Sequence, residues 1–174
     1  MASATQRFMN YAEGEGDKEK ERGIFNVSVI MHLVIALAVG VLLVFAGYVF
    51  FGGVLNMPPD RVAAAKIVYG SLIVSTVFTV IAVPYDAVLN AHENMLFFSV
   101  VGVVESLLKL SVAFVVVYTS FDKLIVYGVL MSCIPLMMLC VMRTYCHRHY
   151  GECVISPRRY YDHETMKEIG RAHV

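Results

Sequence analysis

Residues 24–51 read IFNVSVIMHLVIALAVGVLLVFAGYVFF and contain no Asp, Glu, Lys or Arg. A helix rises about 1.5 Å per residue, so about 20 such residues cross the hydrocarbon core of a bilayer. Three further apolar runs follow at 62–85, 95–118 and 124–142, separated by short polar breaks. The pattern predicts an all-α, polytopic membrane helix bundle with four transmembrane helices.

The overall composition agrees with this class and argues against others. Hydrophobic residues make up 58% of the 174 residues, charged residues make up 16%, and the mean hydropathy is +0.66. Soluble domains carry about 25% charged residues. The formal net charge is +0, so no basic field would attract a polynucleotide, and we expect no nucleic-acid partner. The sequence has no phosphate-binding Gly-rich loop, nucleophile elbow or His-Glu-x-x-His motif, so we expect neither catalysis nor a cofactor.

The ends of the chain predict the topology. The first apolar run follows the charged stretch EGEGDKEKER at 13–22 and is too long for the core of a cleavable signal, so we expect it to insert as a span. Short segments rich in Lys and Arg stay in the cytoplasm. Such residues occur near both ends, at Arg7, Lys18, Lys20, Arg22, Arg143, Arg148, Arg158, Arg159 and Lys167. We therefore expect a cytoplasmic segment at 1–23, a membrane domain at 24–145 and a second cytoplasmic segment at 146–168.

Two ionisable residues interrupt the third apolar run. Glu105 and Lys109 lie four residues apart with the acid first, which is the favourable order for a pair on one helix face. Charged groups at this depth are costly and usually face a bundle interior or a hydrated cavity. The two residues are therefore candidates for lining a substrate cavity. The alternative is a pair that neutralises itself and only orients the helix.

Weaker candidates lie in the first two spans. His32 is near the cytoplasmic end of the first span, where a proton-relay role competes with an interfacial or packing role. Ser71, Ser75 and Thr79 recur every four residues and share one face of the second span. Such a stripe either lines a substrate path or mediates close helix packing.

Residues 146–153 read CHRHYGEC, and His163 follows. Thiol and imidazole groups can ligate metals, but the two cysteines lack the tight Cys-x-x-Cys pairing of a zinc site. We expect no metal here. Basic and aromatic residues beside a span are better explained as anchors to lipid headgroups.

Three segments carry a family resemblance. Residues 6–17 read QRFMNYAEGEGD, with Arg7 and Phe8 ahead of a turn that contains Gly14, Gly16 and Asp17. The segments PYDAVLNAHENM at 84–95 and RTYCHRHY at 143–150 follow in order. This arrangement resembles the polysaccharide (O-antigen type) flippases of the multidrug/oligosaccharidyl-lipid/polysaccharide exporter superfamily.

The resemblance implies a larger protein. The four spans would be its third to sixth transmembrane helices, part of one lobe of a two-lobe transporter fold, and the missing helices would be partners of this segment. The last residues, IGRAHV at 169–174, match the translation of a common sequencing adapter, so we expect a non-native tail on a fragment.

The resemblance also implies a function. Such a protein flips lipid-linked oligosaccharide or polysaccharide precursors across the bacterial cytoplasmic membrane, so membrane lipids and the lipid-linked oligosaccharide would be its partners. Lys109 would then contact the anionic pyrophosphate linkage. Two alternatives stay open: an ion-coupled multidrug exporter of the same fold, with Glu105 carrying the ion, and a complete small four-span scaffold protein.

Overall fold

The computed structural model describes residues 4–54 and 58–156, and these ranges are almost entirely helical, with no strand. The helices are α1 (Ala4–Glu15), α2 (Lys18–Val49), α3 (Val62–Ala91), α4 (Met95–Tyr118) and α5 (Lys123–His149). A short π-helical turn, Phe50–Val54, follows α2. The prediction of an all-α fold is confirmed.

Helices α2 to α5 are each long and apolar enough to cross a membrane. Even the shortest, α4, has 24 residues, which is about 36 Å at the rise of an α-helix. Most of the apolar surface of these helices is exposed, as at Val41, Phe45 and Phe114, and lipid would cover such a surface. The prediction of four long apolar helices that could span a membrane is confirmed, as a multi-pass membrane protein requires.

The predicted runs and the helices differ mainly at one end of the bundle. Helix α4 spans the same residues as the third apolar run, whereas α3 and α5 continue past their runs to Ala91 and His149. Helix α1 lies in the segment for which the sequence indicated only a charged cytoplasmic stretch. Thr5, Met9 and Ala12 are its buried residues, and their spacing places them on one face.

Helix α3 is the centre of the bundle. It packs against α2 on one side and α5 on the other, while α4 packs mainly on α5. The phenol of Tyr69 on α3 donates a hydrogen bond to the Leu43 carbonyl of α2 at 2.7 Å. Gly128 brings α5 close to α3, because a Cβ atom at that position would lie 3.3 Å from the Val68 Cα.

The two ends of the bundle hold different parts of the chain. At the end that carries α1, the Asn26 amide donates to the Val154 carbonyl at 2.9 Å and accepts from the Ser156 N–H at 2.8 Å. We call this the α1 end. At the opposite end, Arg61 and Asp122 form an ion pair of 2.8 Å, which joins the connection between α2 and α3 to the connection between α4 and α5. Consecutive spans are therefore antiparallel, and residues 4–22 and 150–156 lie at the same end.

Candidate functional site

A cavity of about 350 Å³ lies between α3, α4 and α5, within the apolar part of the bundle. Its walls are apolar for the most part, but polar side chains from all three helices also line it. These polar residues are Ser71, Ser75, Thr79, Glu105, Lys109, Tyr127 and Ser132. We call this space the central cavity.

Glu105 and Lys109 form an ion pair on the face of α4 that lines the central cavity. The Lys109 Nζ lies 2.6 Å from the Glu105 Oε1, and the lysine and glutamate side chains are 48% and 35% exposed. Pairing lowers the cost of holding two charges at this depth. The geometry is compatible with both hypotheses from the sequence. The two charges neutralise each other, and the pair also lines a cavity that could hold a polar group.

The stripe of Ser71, Ser75 and Thr79 lines the opposite wall, on α3. The Thr79 hydroxyl donates to the Ser75 carbonyl at 2.9 Å, a bond that satisfies its proton within its own helix. Its oxygen can still accept a hydrogen bond from a group in the cavity. The structure therefore brings the stripe and the Glu105–Lys109 pair to one site.

The contribution of α5 was not anticipated from the sequence. Gly128, Ser132 and Pro135 line the cavity at a spacing of four and three residues, and Tyr127 adds a phenol. This spacing places the three residues on one helix face, a pattern that could have been found. The Ser132 hydroxyl donates to the Val129 carbonyl of its own helix at 2.8 Å. Apart from this spacing, nothing in the sequence indicated that Ser132 would line a cavity.

Asp86 is a second acidic residue that sequence reasoning did not select. It lies on α3 toward the α1 end, and its Oδ1 is buried with no hydrogen-bond partner among the residues that the structure describes. Its carboxylate is therefore a further candidate for binding a proton or a cation within the bundle.

His32 lies outside the central cavity. It is only 5% exposed, and its Nδ1 lies 2.8 Å from the Ser28 carbonyl oxygen. The Ser28 hydroxyl in turn lies 3.0 Å from the Thr5 hydroxyl of α1. The Thr5–Ser28 contact joins α1 to α2, and His32 contacts the α2 side of that junction.

The residues that carried the family resemblance lie at the α1 end. Arg7 is exposed on α1, and Phe8 packs at the edge of the buried core. Gly14 lies in the last turn of α1, and Gly16 has a φ of +71°, which glycine adopts without strain. Asp17 caps α2 by accepting a hydrogen bond from the Lys20 N–H at 3.1 Å. Gly14, Gly16 and Asp17 thus build the turn between α1 and α2, and none of the five residues lines the central cavity.

A charged network holds the α1 end together. The Lys18 ammonium lies 2.9 Å from Glu13 and 3.0 Å from Glu21. The hydrogen bond from Lys18 lowers the pKa of Glu13, although partial burial opposes this effect. His92 is paired through Nε2 with buried Glu152, and its Nδ1 lies 3.5 Å from Glu13. The network thereby ties α1 and α2 to the end of α3 and to the segment after α5.

Three members of this network have the spacing of metal ligands. Ligand atoms of Glu13, Glu21 and His92 all lie within 4.8 Å of one another. Lys18 already contacts both carboxylates, so the arrangement corresponds to an ion-pair network. In the cysteine-histidine stretch, Cys146 and Cys153 are buried core residues. His163 lies outside the described residues.

The central cavity is therefore the best candidate site. It offers one cation, one carboxylate and several hydroxyls between three membrane helices, which suits a ligand with anionic and polar groups. Comparisons with known protein families, with curated proteins and with solved structures found no match to this chain.

Proposed function

We propose that this chain is part of a transporter that flips lipid-linked oligosaccharide or polysaccharide precursors across the bacterial cytoplasmic membrane. The observation that carries the proposal is the central cavity, with the Glu105–Lys109 pair on one wall and hydroxyls on the other. Polar headgroups cannot cross hydrocarbon unaided, so a flippase needs polar groups and water at membrane depth.

Lys109 is the residue that fits the anionic linkage of such a substrate. Its ammonium has three N–H donors, and the contact with the Glu105 Oε1 uses one of them. The nearly half-exposed side chain could therefore bind a phosphate oxygen while Glu105 holds it in place. Sugar hydroxyls would exchange hydrogen bonds with Ser71 and Ser75 on the facing wall.

The same proposal includes a topology with both termini in the cytoplasm. Lys and Arg at both ends support it, as does the location of residues 4–22 and 150–156 at one end of the bundle. Further helices of the transporter would complete the cavity, since α4 contacts α5 far more than α3. The substrate would pass from the α1 end toward the opposite leaflet.

The test compares lysine variants of the transporter that carries this segment, reconstituted in proteoliposomes with a fluorescent lipid-linked oligosaccharide. A hydrogen bond to a charged group contributes about 1.5–3 kcal/mol, so we expect Lys109→Ala to slow flipping about tenfold or more. Lys109→Arg should retain part of the activity because it keeps the cation.

Lys66→Ala is the matched control, because this exposed lysine lies toward the opposite end with its Nζ 5.9 Å from the centre of the Phe51 ring. We expect this variant to flip at the normal rate. Normal flipping by Lys109→Ala, at normal expression, would refute the proposed role.

The second candidate is an ion-coupled multidrug exporter of the same fold. Two carboxylates favour it: Glu105 in the cavity wall and Asp86 with its unpartnered oxygen among the described residues. Dye efflux that depends on an ion gradient, with unchanged surface polysaccharide, would support the exporter over the flippase.

A further inference from the structure

We propose that a groove between α4 and α5 at the α1 end binds an anionic phospholipid of the surrounding leaflet. The groove has a volume of about 440 Å³ and is distinct from the central cavity. Its lining includes Phe97, Met137, Val141, Thr144, Arg148 and His149. We call it the lipid groove. The proposal does not depend on the transported substrate.

The order of side chains along α5 matches the order of groups in a phospholipid. Met137, Val141, Thr144 and Arg148 follow one another at spacings of four, three and four residues, so they share a helix face. Along about 16 Å of helix, this face changes from apolar to hydroxyl to guanidinium. An acyl chain would lie on the first part, and the phosphate would meet the last.

The aromatic wall of the lipid groove is held in place by the protein itself. The Phe97 ring stacks on Tyr145 with centroids 3.7 Å apart, and Tyr145 stacks on His149 at 4.2 Å. The Asn94 amide donates to the Tyr145 hydroxyl at 2.8 Å. Aromatic rings are typical of the depth where headgroups begin. A ligand would therefore enter a preformed groove at little entropic cost.

Charge complementarity identifies the headgroup as anionic. The lining contains Arg148 and His149 and no Asp or Glu. Arg148 is exposed and forms no ion pair within residues 4–54 and 58–156, whereas Lys18 at the same end is bound by two carboxylates. Basic grooves between membrane helices at this depth bind anionic headgroups. Arg148 is thus the residue available for a phosphate.

The test measures lipid retained by the purified full chain, using native mass spectrometry after incubation with phosphatidylglycerol or phosphatidylcholine. We expect phosphatidylglycerol to be retained preferentially. Arg148→Gln should lower its retention about tenfold, because a guanidinium–phosphate bond is lost. The matched control is Arg7→Gln, which removes another exposed arginine from the same end and should leave retention unchanged.

Three outcomes would overturn the proposal. Equal retention of the two lipids would remove the role of charge. An equal loss of phosphatidylglycerol retention in Arg148→Gln and Arg7→Gln would mean that basic residues attract anionic lipid in general, without a specific site. Displacement of phosphatidylglycerol by millimolar inorganic phosphate would indicate a simple anion site, since free phosphate cannot use the apolar half of the groove.

Discussion

Gly128→Ala is the sharpest test of the packing that builds the central cavity. A Cβ atom at this position would lie 3.0 Å from the Val68 Cγ2, 3.3 Å from its Cα and 3.4 Å from its Cβ. Carbon atoms pack best at about 3.5–4.0 Å, so the two helices must separate by about half an ångström. A change of rotamer cannot relieve the contact, because backbone of α3 is involved. Forcing such a separation costs about 1–3 kcal/mol of unfolding free energy, of which the helix preference of alanine over glycine offsets up to about 1 kcal/mol.

Gly102→Ala is the matched control, since it makes the same change within another membrane helix. An added Cβ meets nothing within 4 Å there. Because alanine favours a helix over glycine by up to about 1 kcal/mol, we expect this variant to be as stable as the wild type or slightly more stable.

The assay is reversible unfolding of the chain in a bilayer or in mixed micelles, with both variants measured under the same conditions. We expect only Gly128→Ala to lose stability. Equal stability of the two variants would refute the reasoning, because it would mean that α3 and α5 do not approach as closely as the structure shows.

Two further predictions concern the α1 end. Replacing Asn26 with Ala removes its hydrogen bonds to residues 154–156, so we expect a loss of about 1–3 kcal/mol and faster amide hydrogen exchange in that segment; unchanged exchange would contradict this. The lowered pKa of Glu13, caused chiefly by the hydrogen bond from Lys18, gives a stabilisation that is present above the ordinary carboxyl pKa and is lost as the pH falls below about 4.5. Glu13→Gln should flatten the dependence of the melting temperature on pH in that range, and an unchanged profile would count against the network.

The spans could be predicted from the sequence because length and apolarity alone decide them. Residues 24–51 carry no charge, and no soluble fold needs so long a run. Helix α1 was harder to predict, because its buried face is short and includes the polar Thr5 as well as Met9 and Ala12. Its helical state depends on packing against α2 and α3, and a local pattern contains no information about such contacts.

The candidate site could be predicted only in part. Periodicity places Ser71, Ser75 and Thr79 on one face and the Glu105–Lys109 pair on another, but it does not say which faces meet. Their meeting depends on α5, which packs against both α3 and α4. The position of His32 near a span end likewise did not indicate that its side chain would be buried.

Polar groups at membrane depth in this bundle should face a hydrated cavity. The measurement is reaction of single cysteines with a water-soluble cationic methanethiosulfonate in proteoliposomes, in a background that lacks the exposed Cys133 and Cys140. Ser75→Cys lines the cavity, whereas Val41→Cys replaces a residue that is 70% exposed on the apolar surface of α2. We expect the reagent to modify Ser75→Cys and not Val41→Cys. Modification of Val41→Cys alone, or of neither cysteine, would contradict this expectation.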